Sequence, residues 1–155
     1  VTPASEAPPE AEPEDGDLGL RDLKVLLAED HPTNQRIVEL VLAQTGVALT
    51  IASNGAQALE VLARERFDVI LMDMQMPVMD GLTAVRELRR RELQLGHPRT
   101  PVIMLTANAL GEHVEAARAA GADRHMSKPL RPDALIRAVS ECAAGQIEDI
   151  ASAAA

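Results

Sequence analysis

The chain has one cysteine in 155 residues, no tryptophan, no tyrosine and a single phenylalanine. Cys142 has no partner for an intrachain disulfide, which excludes a disulfide-stapled scaffold and suits a reducing compartment. With Phe67 the only aromatic residue, the core must be aliphatic. No apolar run is long enough to cross a bilayer, and the opening VTPASEAPPEAEPEDGD lacks a basic segment followed by an apolar one, so no membrane segment or secretory signal is expected. The cytoplasm is the expected setting. A GxxxxGK[ST] loop is missing, as are a kinase's histidine box and glycine-rich ATP lid, so nothing in the chain would cradle a nucleotide's phosphates. The length and 46% hydrophobic content fit one soluble domain.

What the chain has is acid, unevenly placed. The formal charge is −9, and Glu6, Glu10, Glu12, Glu14, Asp15 and Asp17 account for six of these charges with no base among residues 1–17, leaving −3 for the remainder. The acidity therefore belongs mainly to the N-terminal stretch. Pro3, Pro8, Pro9 and Pro13 stand there among alanines with too little apolar surface to offset the entropy of ordering, so residues 1–20 are expected to be an extended linker. Residues 145–155 follow a helix-stopping Gly145 as an alanine-rich tail.

Between these ends the hydrophobic period changes repeatedly. KVLLA (24–28), ALTIA (48–52), DVILM (68–72), PVIML (101–105) and DRHM (123–126) read as strands. Each precedes a segment with helical spacing: Ile37, Val38, Val41 and Leu42; Leu59 and Leu62 after Asn54; Val85 and Leu88 after Leu82; Leu110, Val114 and Ala117; Leu135, Ala138, Val139 and Cys142. Continuously apolar strands are covered on both faces, which predicts a parallel sheet between helices, a doubly wound α/β domain over 23–143.

In such sheets chemistry sits beyond the carboxyl ends of the strands. Glu29 and Asp30 follow the first strand, Asp73 the third, Thr106 and Ala107 the fourth, Ser127, Lys128 and Pro129 the fifth. Three converging carboxylates repel one another, and a hard divalent cation such as Mg²⁺ would compensate them. The Lys128 ammonium and Thr106 hydroxyl would hold phosphoryl oxygens, which makes Asp73 a candidate nucleophile. Pro77 and the Asp80-Gly81 turn are read as structural.

These motifs, LLAEDHPTNQ, VILMDMQMPVMDG, VIMLTANA and HMSKPL, resemble in order and spacing the receiver domain of two-component response regulators. The resemblance implies a flavodoxin-like (βα)5 fold with strand order 2-1-3-4-5. It implies Asp73 as phospho-acceptor, Glu29 and Asp30 serving Mg²⁺ (with Mn²⁺ as a substitute) alongside Asp73, and the backbone carbonyl of Gln75 completing the metal site. It further implies Thr106 and Lys128 as phosphoryl partners, a cis peptide before Pro129, and Gln75 and Asn108 as residues tuning hydrolysis. The aromatic switch position carries His125, which is read either as a switch ring or as a packed or solvated one. The motif style is that of receivers fused to hybrid histidine kinases. Phospho-histidine domains or histidine phosphotransfer proteins are the implied partners, contact with attached kinase domains is an option, and the isolated domain is expected to be a monomer. No enzymatic activity beyond self-catalysed phosphoryl transfer and autodephosphorylation is expected of it.

Rival readings are a stand-alone receiver, an unphosphorylated receiver-like binding module, a nucleotide hydrolase and a haloacid-dehalogenase-type phosphatase. VILMD resembles a Walker B strand but has no phosphate loop to serve, and the phosphatase would want an aspartate where Gln75 stands. The basic run RELRRRELQLGHPR (86–99) is read as a solvated helix end rather than a nucleic-acid contact.

Overall fold

The computed structural model describes residues 20–107 and 111–145. Five strands alternate with five helices: β1 (Lys24–Ala28), α1 (Pro32–Ala43), β2 (Ala48–Ala52), α2 (Gly55–Arg64), β3 (Val69–Asp73), α3 (Gly81–Leu95), β4 (Val102–Thr106), α4 (Gly111–Ala120), β5 (Arg124–Ser127) and α5 (Pro132–Ala143). The strands pair in parallel in the order β2-β1-β3-β4-β5, as the resemblance implied. The chain winds first toward β2 and then back across β1 to β3. That reversal opens a crevice at the carboxyl ends of β1 and β3.

Successive residues of the central strands face opposite layers. Leu26, Ile70, Met72, Val102 and Met104 pack with Leu59, Val85, Leu88 and Ala117 from α2, α3 and α4. Val25, Leu27, Val69, Leu71, Ile103 and Leu105 pack with Val38, Leu42, Leu135, Val139 and Cys142 from α1 and α5. Every residue of β3 and β4 is buried, so these two strands form the rigid centre of the sheet. The methionines at 72, 74 and 104 are buried within this packing, as expected of gap-fillers.

Several boundaries differ from the hydropathy pattern. Strands β3, β4 and β5 each begin and end one residue later than predicted, so Asp73 and Thr106 are the last residues of their strands. Pairing of Asp73 with Leu105 and of Thr106 with Ser127 carries the ladder through the polar residues. Helix α1 starts at Pro32, well before the apolar positions that announced it, because proline fits the first helical turn, where its missing N–H is no loss. Leu20, counted with the linker on composition, is wholly buried against the α1/α5 layer. Residues 1–19 and 146–155 of the expected tails, and Leu110, lie outside the described residues.

At the opposite end of the sheet an ionic staple joins three elements. Arg89 of α3 donates to Asp123 Oδ2 (2.9 Å), Glu92 Oε1 (2.8 Å) and the carbonyls of Thr100 (2.8 Å) and Gly121 (2.9 Å). Arg99 reaches Asp123 Oδ1 at 2.9 Å, and the Val102 amide donates to Asp123 Oδ2 at 2.9 Å. Arg90 and Arg91 bind Glu87. The basic run of 86–99 is thus largely neutralised within its own helix and staple. Because the Asp123 side chain is 5% exposed, its removal would take one of two carboxylate partners from the buried Arg89 and leave the Val102 amide without this acceptor. Asp123→Ala is expected to destabilise the domain by about 3–5 kcal/mol; urea unfolding followed by circular dichroism measures this, and a loss under about 1 kcal/mol would contradict the buried-pair account.

Candidate functional site

The strand ends bring together the residues that the sequence singled out. Asp73 is 4% exposed, and its Oδ1 lies 3.1 Å from Lys128 Nζ and 3.4 Å from the Gln75 amide, which donates to it. The same ammonium lies 3.0 Å from Oε1 of the fully buried Glu29. One cation therefore bridges two buried carboxylates. The Lys128-Pro129 peptide is cis, as the resemblance implied, and the Lys128 amide donates to the Thr106 carbonyl at 2.8 Å.

The helix start at Pro32 brings in residues that sequence reasoning passed over. Asn34 Nδ2 donates to Glu29 Oε2 at 3.3 Å, the His31 amide donates to the same oxygen at 3.1 Å, and Gln35 Nε2 donates to the Glu29 carbonyl at 2.6 Å. AEDHPTNQ contained the signal: once proline marks the first turn, Asn34 and Gln35 fall where they can reach back to the strand end. His31 places Nδ1 3.4 Å from Asp30 Oδ1 and 3.6 Å from Glu29 Oε2.

A cavity of about 430 Å³ opens over this cluster, lined by Asp73, Gln75, Thr106, Ala107 and Lys128. His31, Asn34, Met74 and His113 complete its wall. Thr106 is 2% exposed. His125 does not line the cavity; it sits half-buried on β5, paired with Met104 of β4. Asn108 lies outside the described residues.

The loop after β3 is shaped to keep Asp73 in place. Gly81 opens α3 so close to the strand that an added Cβ would lie 2.1 Å from the Asp73 carbonyl oxygen, and its amide donates to the Met74 carbonyl at 3.0 Å. No side chain fits there. Asp80 caps α3 by accepting from the Thr83 amide at 2.8 Å. Pro77 accepts from the Met79 amide at 2.7 Å around Val78, whose φ of 69° is unusual for a β-branched residue.

The electrostatics follow from burial. Desolvation, then repulsion from Glu29, pushes the Asp73 carboxyl up to about 6 against the pull of Lys128 and the Gln75 amide. Burial works against the Lys128 ammonium, but its hydrogen bonds to Glu29 and Asp73 outweigh it and hold its pKa above the ordinary value. Carboxylates outnumber the ammonium here, so the site has an uncompensated charge. Asp30 Oδ1 is buried without a hydrogen-bond partner, and Glu29, Asp30 and His31 bring ligand atoms within 4.8 Å of one another. An oxygen-rich, partly unsatisfied donor set of this kind fits a hard divalent cation.

Residues 25–140 match the response regulator receiver domain family. The chain belongs to that family. Among curated relatives, this receiver is 38% identical over 116 residues to the peroxide stress-activated histidine kinase mak1 of Schizosaccharomyces pombe, covering 73% of the chain and 7% of that protein. It is 36% identical over 114 residues to the sensor histidine kinase RcsC of Escherichia coli, covering 74% of the chain and 12% of that protein. The chain thus spans a small part of the kinases that it matches. Among solved structures, the receiver domain of the sensor histidine kinase PA1611 from Pseudomonas aeruginosa, with a magnesium ion coordinated in its active-site cleft, superposes with a TM-score of 0.72 at 37% identity, covering 79% of this chain and 98% of that one. A Saccharomyces cerevisiae co-crystal of the histidine phosphotransfer protein Ypd1 with the receiver domain of Ssk1 gives 0.78 at 26% identity, over 83% and 93% of the chains.

Asp73 supplies a pH test. Its folded pKa stands above its unfolded value of 3.8, so its stabilising contribution is full below about pH 4 and lost as the pH rises through about 6. Ionised Asp73 then burdens the metal-free fold. Asp73→Asn is expected to raise stability at about pH 8 by roughly 1–3 kcal/mol, with the gain shrinking toward about pH 4. Thermal melts without divalent cations at both pH values check this; a variant that melts below the wild type at the higher pH would refute it.

Proposed function

We propose that this receiver takes a phosphoryl group from a phospho-histidine onto Asp73 and passes the change in charge to its partner-binding surface. The single observation behind this reading is the Asp73 carboxylate, fixed at the end of a fully buried strand, facing an open cavity and held 3.1 Å from the Lys128 ammonium. With a pKa of about 6 it is mostly ionised at neutral pH and so nucleophilic. A carboxylate oxygen would form the new P–O bond as the phosphorus–nitrogen bond to the donor imidazole breaks and the imidazole leaves. Lys128 would follow the transferred oxygens while Glu29 keeps its ammonium in reach.

Glu29, Asp30, Asp73 and the Gln75 carbonyl would hold Mg²⁺, which when bound supplies positive charge against the phosphoryl oxygens. Thr106, buried at the cavity wall, would turn toward the modified aspartate and re-bias the face formed by α4, β5 and α5, with His125 on the strand between. Gln75 and Asn108 are assigned to tuning the approach of water. Ile37 and Leu40 of α1, 38% and 52% exposed, give a phospho-histidine helix an apolar ledge beside the site.

The donor is a histidine kinase or a histidine phosphotransfer protein, the latter suggested by the Ypd1 complex. The curated relatives are histidine kinases, which supports an origin as one module of a hybrid kinase acting in the cytoplasm, with contact to attached kinase domains as an added route of control. Residues 1–20 would serve as its linker, shortened at its end by the burial of Leu20. No helix among the described residues is long and apolar enough to cross a membrane.

Incubation with acetyl phosphate and Mg²⁺ followed by intact-mass measurement tests the transfer. The wild type is expected to gain one phosphate adduct that Asp73→Asn lacks, and Lys128→Ala is expected to acquire it about 10²-fold more slowly, the loss typical of one preorganised donor. A wild type that gains no adduct would point instead to a receiver-like binding module.

A further inference from the structure

The side chain of His31 is 69% exposed, yet its Nδ1 turns inward to the acidic pair, 3.4 Å from Asp30 Oδ1 and 3.6 Å from Glu29 Oε2. The approach to Asp30 is not a hydrogen bond, since Asp30 Oδ1 has no hydrogen-bond partner; the spacing is that of an ion pair or of two ligands of one cation. Helix capping does not explain the direction. His31 stands at the cap of α1 without a side-chain cap bond, and its backbone (φ −88°, ψ 122°) is the extended conformation that a following proline imposes. Pro32 and the bond from the His31 amide to Glu29 Oε2 therefore preset where the imidazole sits. An imidazole nitrogen and two carboxylates, with ligand atoms mutually within 4.8 Å, form a mixed nitrogen–oxygen donor set, of which His31 also lines the cavity.

We propose that His31 is a metal ligand that gives this receiver a preference for divalent transition metals over Mg²⁺ at its acidic pair. The inference rests on the cation site assigned above and adds the imidazole to it. Mg²⁺ is satisfied by oxygen donors and retains water, so an added nitrogen contributes little to its binding. Borderline cations such as Co²⁺, Ni²⁺ and Zn²⁺ bind imidazole well, and their affinity for a nitrogen-containing site climbs along the Irving–Williams order. An imidazolium serving only as an ion-pair partner would act differently: it would oppose every divalent cation alike.

Calorimetric titration of the whole chain with Co²⁺ and with Mg²⁺ separates these cases, alongside the visible spectrum of bound Co²⁺. His31→Asn is expected to weaken Co²⁺ binding by about tenfold or more, the scale on which supporting groups matter in metal sites, and to shift the Co²⁺ ligand-field bands, while Mg²⁺ affinity changes by less than about twofold. His113→Asn, a change in the same cavity wall, should leave the Co²⁺ spectrum as in the wild type. Equal effects of His31→Asn on both metals, no effect on Co²⁺, or a Co²⁺ loss that follows His113 instead would each overturn the role of His31. Failure of the wild type to bind Mg²⁺ would count against the underlying cation assignment, and the cobalt comparison would still decide the part played by His31.

Discussion

One ammonium holds the site together. Lys128 Nζ sits between Glu29 Oε1 at 3.0 Å and Asp73 Oδ1 at 3.1 Å, tying β1, β3 and the end of β5 in a region from which water is largely excluded. Two buried carboxylates this close would repel strongly without it, and burial without them would pull the lysine's pKa down. Each member is thus the condition for the others. The arrangement is still short of positive charge, because Asp30 adds a further anion beside the pair. A residual burden of this kind is useful at a switch, since whatever relieves it, a proton, a cation or a covalent change at Asp73, also shifts the energy of the fold.

The rest of the structure serves to keep that triad from relaxing. β3 and β4 are buried throughout, so Asp73 and Thr106 cannot turn away from the crevice without tearing the core. Gly81 packs against the Asp73 carbonyl where no other residue fits. Asn34 and Gln35 hold Glu29 from the first turn of α1. At the far end the Arg89–Asp123 staple fastens α3 to the start of β4 and the turn before β5. The crevice end can therefore remain charged and open while the other end is clamped.

Much of this was legible in the residues. The five alternations of period, the two-sided burial and the convergence of Glu29, Asp30, Asp73, Thr106 and Lys128 followed from apolar spacing and strand-end position, and the structure shows all of them. Less legible was anything that depends on polar residues inside regular elements. Hydropathy ended β3 before Asp73 and β4 before Thr106, because it counts apolar side chains and is blind to a backbone ladder that continues through a charge. It likewise delayed α1 to its apolar face, missing the proline start that brings Asn34 and Gln35 to Glu29. Leu20 was hidden for the opposite reason, as an isolated apolar residue beside an acidic, proline-rich run. The Arg89 staple had no sequence signal, since its partners are separated by as many as 34 positions.

Position within the triad also explains why Asp73, and not Glu29, is the carboxylate suited to chemistry. Glu29 is completely buried and both its oxygens are engaged, one by Lys128 and the other by the His31 amide and Asn34. It anchors the ammonium and does not line the cavity. Asp73 differs on each count: its contacts with Lys128 and the Gln75 amide both fall on Oδ1, it faces the open space, and burial with Glu29 behind it raises its pKa to about 6. A base of that strength is more nucleophilic than an ordinary carboxylate yet still largely ionised at neutral pH. In the proposed transfer Glu29 would thus act twice, by tethering the cation that steadies Asp73 and by adding repulsion to the burial that raises its pKa.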